Sequence, residues 1–167
     1  ARAINFKADY DHAYSNLGIA LKNARFTKED QSLYPILVNL LTEKNFVRPK
    51  DVAGAILSLL RLDSMIEDAL RYTTGLTDIK EVDRVMTALA QAPLLHQLMR
   101  ICPLPDLQFE ALFVSKRRVL LASLRQIEAS PEITHFLSTL SLHCFTNEYV
   151  YFETEEEAEL ISALEAG

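Results

Sequence analysis

Histidines, cysteines and a few carboxylates are the groups in this 167-residue sequence with chemistry to offer, and they are sparse: four histidines, two cysteines and no tryptophan. His96 with Cys102, or His135 and His143 with Cys144, supply the donor types that bind zinc. None has the CxxC, HxxxH or HExxH spacing that puts two donors on one ion, so no metal is expected. His96, His143 and Glu148 are the acid–base groups that a pocket between helices would use. That defines the alternative reading, an enzyme or small-molecule-binding domain. A phosphate-binding or dinucleotide-binding turn needs clustered glycines, and Gly18, Gly54, Gly75 and Gly167 stand alone. No cofactor is therefore expected. A serine nucleophile on a GxSxG elbow is also absent, although a Ser/His/Asp assembly is recognised by geometry rather than by sequence, and no catalytic residue is assigned.

Two sets of residues suit contact better than catalysis. His12, Asn16, Ile19 and Asn23 recur at i, i+4, i+7 and i+11 and share one face of a helix, opposite an apolar stripe. They form either a binding face or a merely solvated one. Asn147, Glu148, Tyr149 and Tyr151 combine a turn former, an acid and two tyrosines just past a helix. This is the composition of a domain-docking patch and equally that of a buried crossover. Lys116-Arg117-Arg118 is the one basic cluster, read as three charges on an exposed helical face.

The elements that must position these groups are helical throughout. Tyr14, Leu17 and Leu21 make the first stripe. Thr27 with acids behind it predicts a helix start, and Leu33, Ile36, Leu37, Leu40 and Leu41 continue at a 3.6 period. Pro35 divides that stretch into a short turn and a main helix, because proline fits a first turn and not an interior. Pro49 opens the next helix on Val52, Ala55, Ile56, Leu59 and Leu60, with a stop near Tyr72 and Gly75. Thr77 caps a helix carrying Ile79, Val82, Val85, Met86 and Leu89. Pro93 starts a short helix through Ile101, and a long one runs from about Asp106 to Glu128. Ser130-Pro131-Glu132 marks the start of a helix through Phe136, Leu140 and Cys144. Thr154-x-x-Glu157 is a capping box for a last helix that would pack Ala158, Leu160, Ile161 and Leu164. The one strand-like piece is Tyr149 to Phe152, too short to make a sheet alone.

The first of these helices resembles the tetratricopeptide repeat, a two-helix unit that stacks into a superhelix and takes peptides in its concave groove. Tyr14, Leu17, Gly18 and Leu21 fall at its bulky, aliphatic, small and bulky places, with Ala13 and Ala20 beside them and Ala3 ten residues earlier. Ala8 replaces the usual linking proline, and Asp30 and Pro35 break the expected partner helix. The resemblance thus implies one terminal unit, in a chain that opens in mid-repeat and closes an array lying upstream. It also implies that His12, Asn16, Ile19 and Asn23 line the concave face, with Asn16 matching an asparagine that holds a peptide's backbone or C-terminal carboxylate.

A second resemblance runs from Asn23 to Tyr151. Asn23-Ala24-Arg25-Phe26-Thr27, Arg48-Pro49-x-Asp51-Val52-Ala53, Pro93-Leu94-Leu95-x-x-Leu98-Met99 and Cys144-Phe145-x-Asn147-Glu148-Tyr149-Val150 are similar to the helical segment after the repeats in bacterial proteins with a downstream S-adenosylmethionine-dependent methyltransferase. What it implies is a connector, with the enzyme elsewhere.

Composition sets the outer bounds. A chain that is 49% hydrophobic can fill a sizeable core, and no run approaches the 18 apolar residues of a membrane span. No secretion leader is visible, and Cys102 and Cys144 read as buried thiols in a reducing cytoplasm. Residues 147–167 hold seven glutamates and no lysine or arginine, so the net charge of −6 sits in the tail. That tail either docks on a basic partner or forms a solvated helix whose Glu155, Glu156 and Glu157 favour the dipole's positive end. Nucleic-acid binding is disfavoured by the charge.

The expected fold class is all-α, a bundle or solenoid of about seven to nine helices. Residues 1–26 would end the repeat array, 27–152 form a helical domain and 153–167 an acidic helix. The expected function is a non-catalytic scaffold or protein-interaction module of a larger cytoplasmic bacterial protein. Its partner would be a protein or peptide, with self-association through the open N-terminal face as a further reading.

Overall fold

Proline at the first helical position and side-chain caps mark the starts of several described helices. The computed structural model describes residues 11–43, 47–71, 79–123, 130–147, 151 and 153–166. Among them are nine α-helices and no strand: α1 (Asp11–Leu21), α2 (Tyr34–Glu43), α3 (Pro49–Leu60), α4 (Ser64–Arg71), α5 (Ile79–Ala90), α6 (Pro93–Ile101), α7 (Leu107–Ser123), α8 (Pro131–Thr146) and α9 (Glu155–Glu165). The protein is all-α, and no described helix is long and apolar enough to cross a membrane.

Prolines open α3, α6 and α8 at the first helical position, where the missing N–H has no intrahelical acceptor to lose. Ser130 Oγ accepts from the Ile133 N–H at 3.2 Å, and Thr154 and Glu157 complete a reciprocal capping box on α9. The start at Thr27 is not formed. Phe26 N instead donates to Ser58 Oγ at 3.0 Å, tying that segment to α3. The cap falls on Asp30, whose carboxylate accepts from the Ser32 N–H and opens a 3₁₀ turn, Gln31–Leu33, ahead of α2. Pro35 then lies in the first turn of α2, as the division at proline predicts.

A break that the apolar pattern conceals separates α3 from α4. Arg61, Leu62 and Asp63 turn the chain without glycine or proline, because Asp63 Oδ1 accepts from the Met65 N–H at 2.9 Å and starts a new helix. Tyr72, Gly75, Thr77 and Glu128, named above as boundary signals, lie outside the described residues, as does the strand-like piece apart from Tyr151.

The chain divides into two compact units. One comprises Ala1–Glu67 with Ala92–Asp106, the other Asp68–Gln91 with Leu107–Gly167. In the first, α2 and α3 both pack on α6, and α1 packs on α3. Ile36, Leu37, Leu40, Val52, Ile56, Leu59, Leu60, Leu94, Leu95 and Leu98 are buried there. Leu41 is only half-buried. Arg61 closes this unit, its guanidinium gripping both Asp106 oxygens at 2.6 Å through Nη2. In the second unit α5 packs on α8 and α9 packs on α7. Its core includes Met86, Leu89, Phe109, Leu112, Phe113, Phe136 and Leu140.

Candidate functional site

Helix α1 is an anchored helix with one open face. Tyr14 and Leu21 are buried, and Asn39 Nδ2 of α2 donates to the Tyr14 hydroxyl at 2.7 Å, fixing the ring. Gly18 is buried too, and a methyl group placed on it would overlap the Val47 side chain. The glycine is therefore demanded by close approach and not by backbone conformation. Leu17 is half-buried, so the inward stripe centres on Tyr14, Gly18 and Leu21. On the opposite side His12, Asn16, Ile19 and Asn23 are all exposed, Ile19 by 66%. Asn23 lies beyond the end of α1, in the turn that follows, so the face is three helical residues plus one turn residue.

The second contact set is placed differently. Glu148 and Tyr149 lie outside the described residues. Asn147 follows the last turn of α8, its Nδ2 donating to the His143 carbonyl at 2.7 Å. Tyr151 is buried, with its hydroxyl 3.4 Å from His143 Nε2 and its ring edge-on to the imidazole at 5.4 Å. His143 in turn meets Phe113 of α7 edge-on at 5.8 Å. This aromatic ladder belongs to the core of the second unit, which leaves the Tyr151 ring unavailable to a partner. Burial also drives the Tyr151 phenol well above its ordinary range, with Cys144 and Glu110 adding to the effect.

The basic cluster differs from the sequence expectation. Lys116-Arg117-Arg118 is not one exposed face, since consecutive residues on an α-helix point about 100° apart. Lys116 is fully buried, and its ammonium pKa is lowered by desolvation. Arg117 turns toward α9, and Arg118 stays exposed.

Arg117 grips Glu157 with Nε to Oε1 at 3.0 Å and Nη2 to Oε2 at 2.7 Å, while Nη1 donates to the Tyr151 carbonyl. Arg118 Nε adds a longer contact to the same carboxylate at 3.6 Å. Glu157 is only 2% exposed. Burial alone would raise its pKa, but the Arg117 hydrogen bonds, the Thr154 N–H and the two guanidinium charges outweigh that and hold it below the usual carboxylate value. The acidic tail is thus neither wholly solvated nor waiting for a basic partner at this residue. Among the α9 residues it is Glu157, and not Ala158, Leu160, Ile161 or Leu164, that is buried.

Cys144 is half-buried beside this pair, its thiol pushed up by burial and drawn partly back by Arg117. Cys102 is also half-buried, with its pKa raised to about 11 by desolvation. Neither is the fully buried thiol expected, and both are held in the protonated form that makes a poor nucleophile.

The metal and acid–base candidates are dispersed. His96 is buried in the first unit and His143 in the second, while His135 is exposed on α8. No group of three His, Cys, Asp or Glu side chains that could hold a metal ion occurs among the described residues. Comparison with protein-family models, with curated proteins and with solved structures finds no match.

Proposed function

We propose that this chain is a helical protein-interaction module whose α1 face takes a peptide, and that it serves as a scaffold within a larger tetratricopeptide-repeat protein. The observation that supports this reading is the division of α1 into a locked side and an open side. Tyr14, Gly18 and Leu21 are buried, while His12, Asn16, Ile19 and Asn23 form a row with hydrogen-bonding, titratable and apolar groups interleaved. A row of this kind on a rigid helix offers low-entropy contacts, with Asn16 able to donate to and accept from a peptide backbone. In the larger context the helices after α1 would connect a repeat array to a bacterial methyltransferase, as the resemblances imply.

The test is titration calorimetry of the full chain against a pool of short peptides, each made with a free and an amidated C-terminus. Binding of the free-acid forms that weakens about tenfold or more in Asn16→Ala supports a carboxylate clamp. Absence of binding, or equal binding by the variant, removes α1 as the peptide site.

A further inference from the structure

Helix α9 packs on α7 with a buried ion pair, Arg117 to Glu157, in the contact. Among its residues Glu157 alone is buried, Ile161 and Leu164 are half-buried, and Glu155, Glu156, Ala158, Glu159 and Leu160 are exposed. Glu157, Ile161 and Leu164 share one face at i, i+4 and i+7, and the most deeply buried group on that face is the carboxylate.

The Arg117 fork is also braced by a contact that lies outside α9 itself. Arg117 Nη1 is satisfied by the Tyr151 carbonyl, and Tyr151 is fixed by its ring against His143. The guanidinium is therefore held by a contact additional to those with the Glu157 carboxylate. Arg118, 54% exposed, stands beside it with a contact of 3.6 Å to the same carboxylate, long for a charged hydrogen bond. Its charge extends the site beyond the single carboxylate that α9 buries there.

We propose that the Arg117–Arg118 face of α7 is a docking site for acidic, N-capped helices, occupied in cis by α9 and open in trans to a partner helix of the same design. The recognised element is a Thr or Ser cap followed three residues later by glutamate, in a segment of high negative charge. The capping box matters because it aims the carboxylate: Thr154 Oγ1 accepts from the Glu157 N–H, while the Glu157 side chain accepts from the Thr154 N–H at 2.9 Å. A glutamate so placed presents its remaining oxygen lone pairs to the fork. The stretch of sequence that contains α9, residues 147–167, carries seven glutamates and no basic residue, so its long-range attraction to two arginines is unopposed within it. Tethering gives α9 an effective concentration on the order of millimolar, and a trans ligand competes only when the cis contact is weakened or the ligand is abundant.

The experiment uses a fluorescein-labelled peptide of residues 153–167 and the full chain as wild type, Glu157→Gln and Glu157→Gln/Arg117→Ala, read by fluorescence anisotropy. The peptide is expected to bind Glu157→Gln at least tenfold more tightly than wild type. That binding should fall at least tenfold in the double variant and when the peptide itself carries Glu157→Gln. Equal binding to wild type and Glu157→Gln, or binding indifferent to Arg117, overturns the proposal. If circular dichroism shows that Glu157→Gln does not fold, hydrogen exchange of α9 amides in the wild-type chain decides. Faster exchange with millimolar unlabelled peptide upholds displacement, and unchanged exchange overturns it.

Discussion

Replacing Arg117 by alanine should cost far more than removing any exposed cation, and the structure says by how much. Breaking a buried ion pair strands the surviving charge, at a cost of about 3–5 kcal/mol. The lower end applies here. Glu157 is 2% exposed but Arg117 is 17% exposed, and the carboxylate keeps the Thr154 N–H and the distant Arg118. The expected loss is therefore about 3 kcal/mol. Arg84 provides the control within the same unit: its pair with Asp68 is equally short, 2.8 Å, but 69% and 44% exposed, so Arg84→Ala should cost roughly 0.5 kcal/mol. Urea denaturation of the full chain, with a double-mutant cycle through Glu157→Gln, measures both.

The same pair fixes a pH signature. The folded Glu157 lies below its ordinary 4.5, so its contribution is complete above that value and is lost as pH falls through the folded pKa. The Arg117→Ala penalty should accordingly shrink on acidification below about pH 4.5. Costs for Arg117→Ala and Arg84→Ala within about 0.5 kcal/mol of each other at neutral pH would refute the assignment of Glu157 as a buried, clasped carboxylate.

The two helical glycines among the described residues should respond in opposite directions to alanine. Gly54 is exposed on α3 with open space where a methyl group would go, so Gly54→Ala should stabilise by about 0.5–1 kcal/mol, whereas Gly18→Ala must displace Val47 and should destabilise by about 1 kcal/mol after helix propensity is counted, both by thermal melting. With its pKa near 11, Cys102 should be roughly one part in a thousand thiolate at pH 8, so alkylation by iodoacetamide, followed by mass spectrometry, should be slow in the native chain and rise about tenfold per pH unit.

Legibility in the sequence followed the range of the physics. Pro49, Pro93, Ser130-Pro131-Glu132 and Thr154 with Glu157 act within a single turn, so their types and spacing predict where α3, α6, α8 and α9 start. The exposed row His12, Asn16 and Ile19 was readable for the same reason, since helical period alone sorts it from Tyr14, Gly18 and Leu21. Asp63 was not, because an aspartate within a continuing apolar pattern has no distinctive signature until its side chain is seen to cap Met65. The start falls at Asp30 and not at Thr27, beside a Phe26 N–H that is bonded to Ser58, 32 residues away, a contact no local pattern announces. Arg117 is the clearest case. Whether a cation in a Lys-Arg-Arg run is solvated or clasped depends on a carboxylate 40 residues further on. The capping box was the one local hint that Glu157 turns back on its own backbone.

The interleaving of the two units carries a consequence for how the chain comes into being on the ribosome. Helix α5, which packs on α8, leaves the exit tunnel well before α8 exists, and α2 and α3 must wait for α6, their common neighbour. During synthesis α5 therefore spends time without the helix it packs on. For the same reason no single proteolytic cut releases either unit whole: each is made of two separate stretches, and the polypeptide passes between the units three times. Truncations designed on contiguous boundaries will divide at least one unit, whereas substitutions leave both intact.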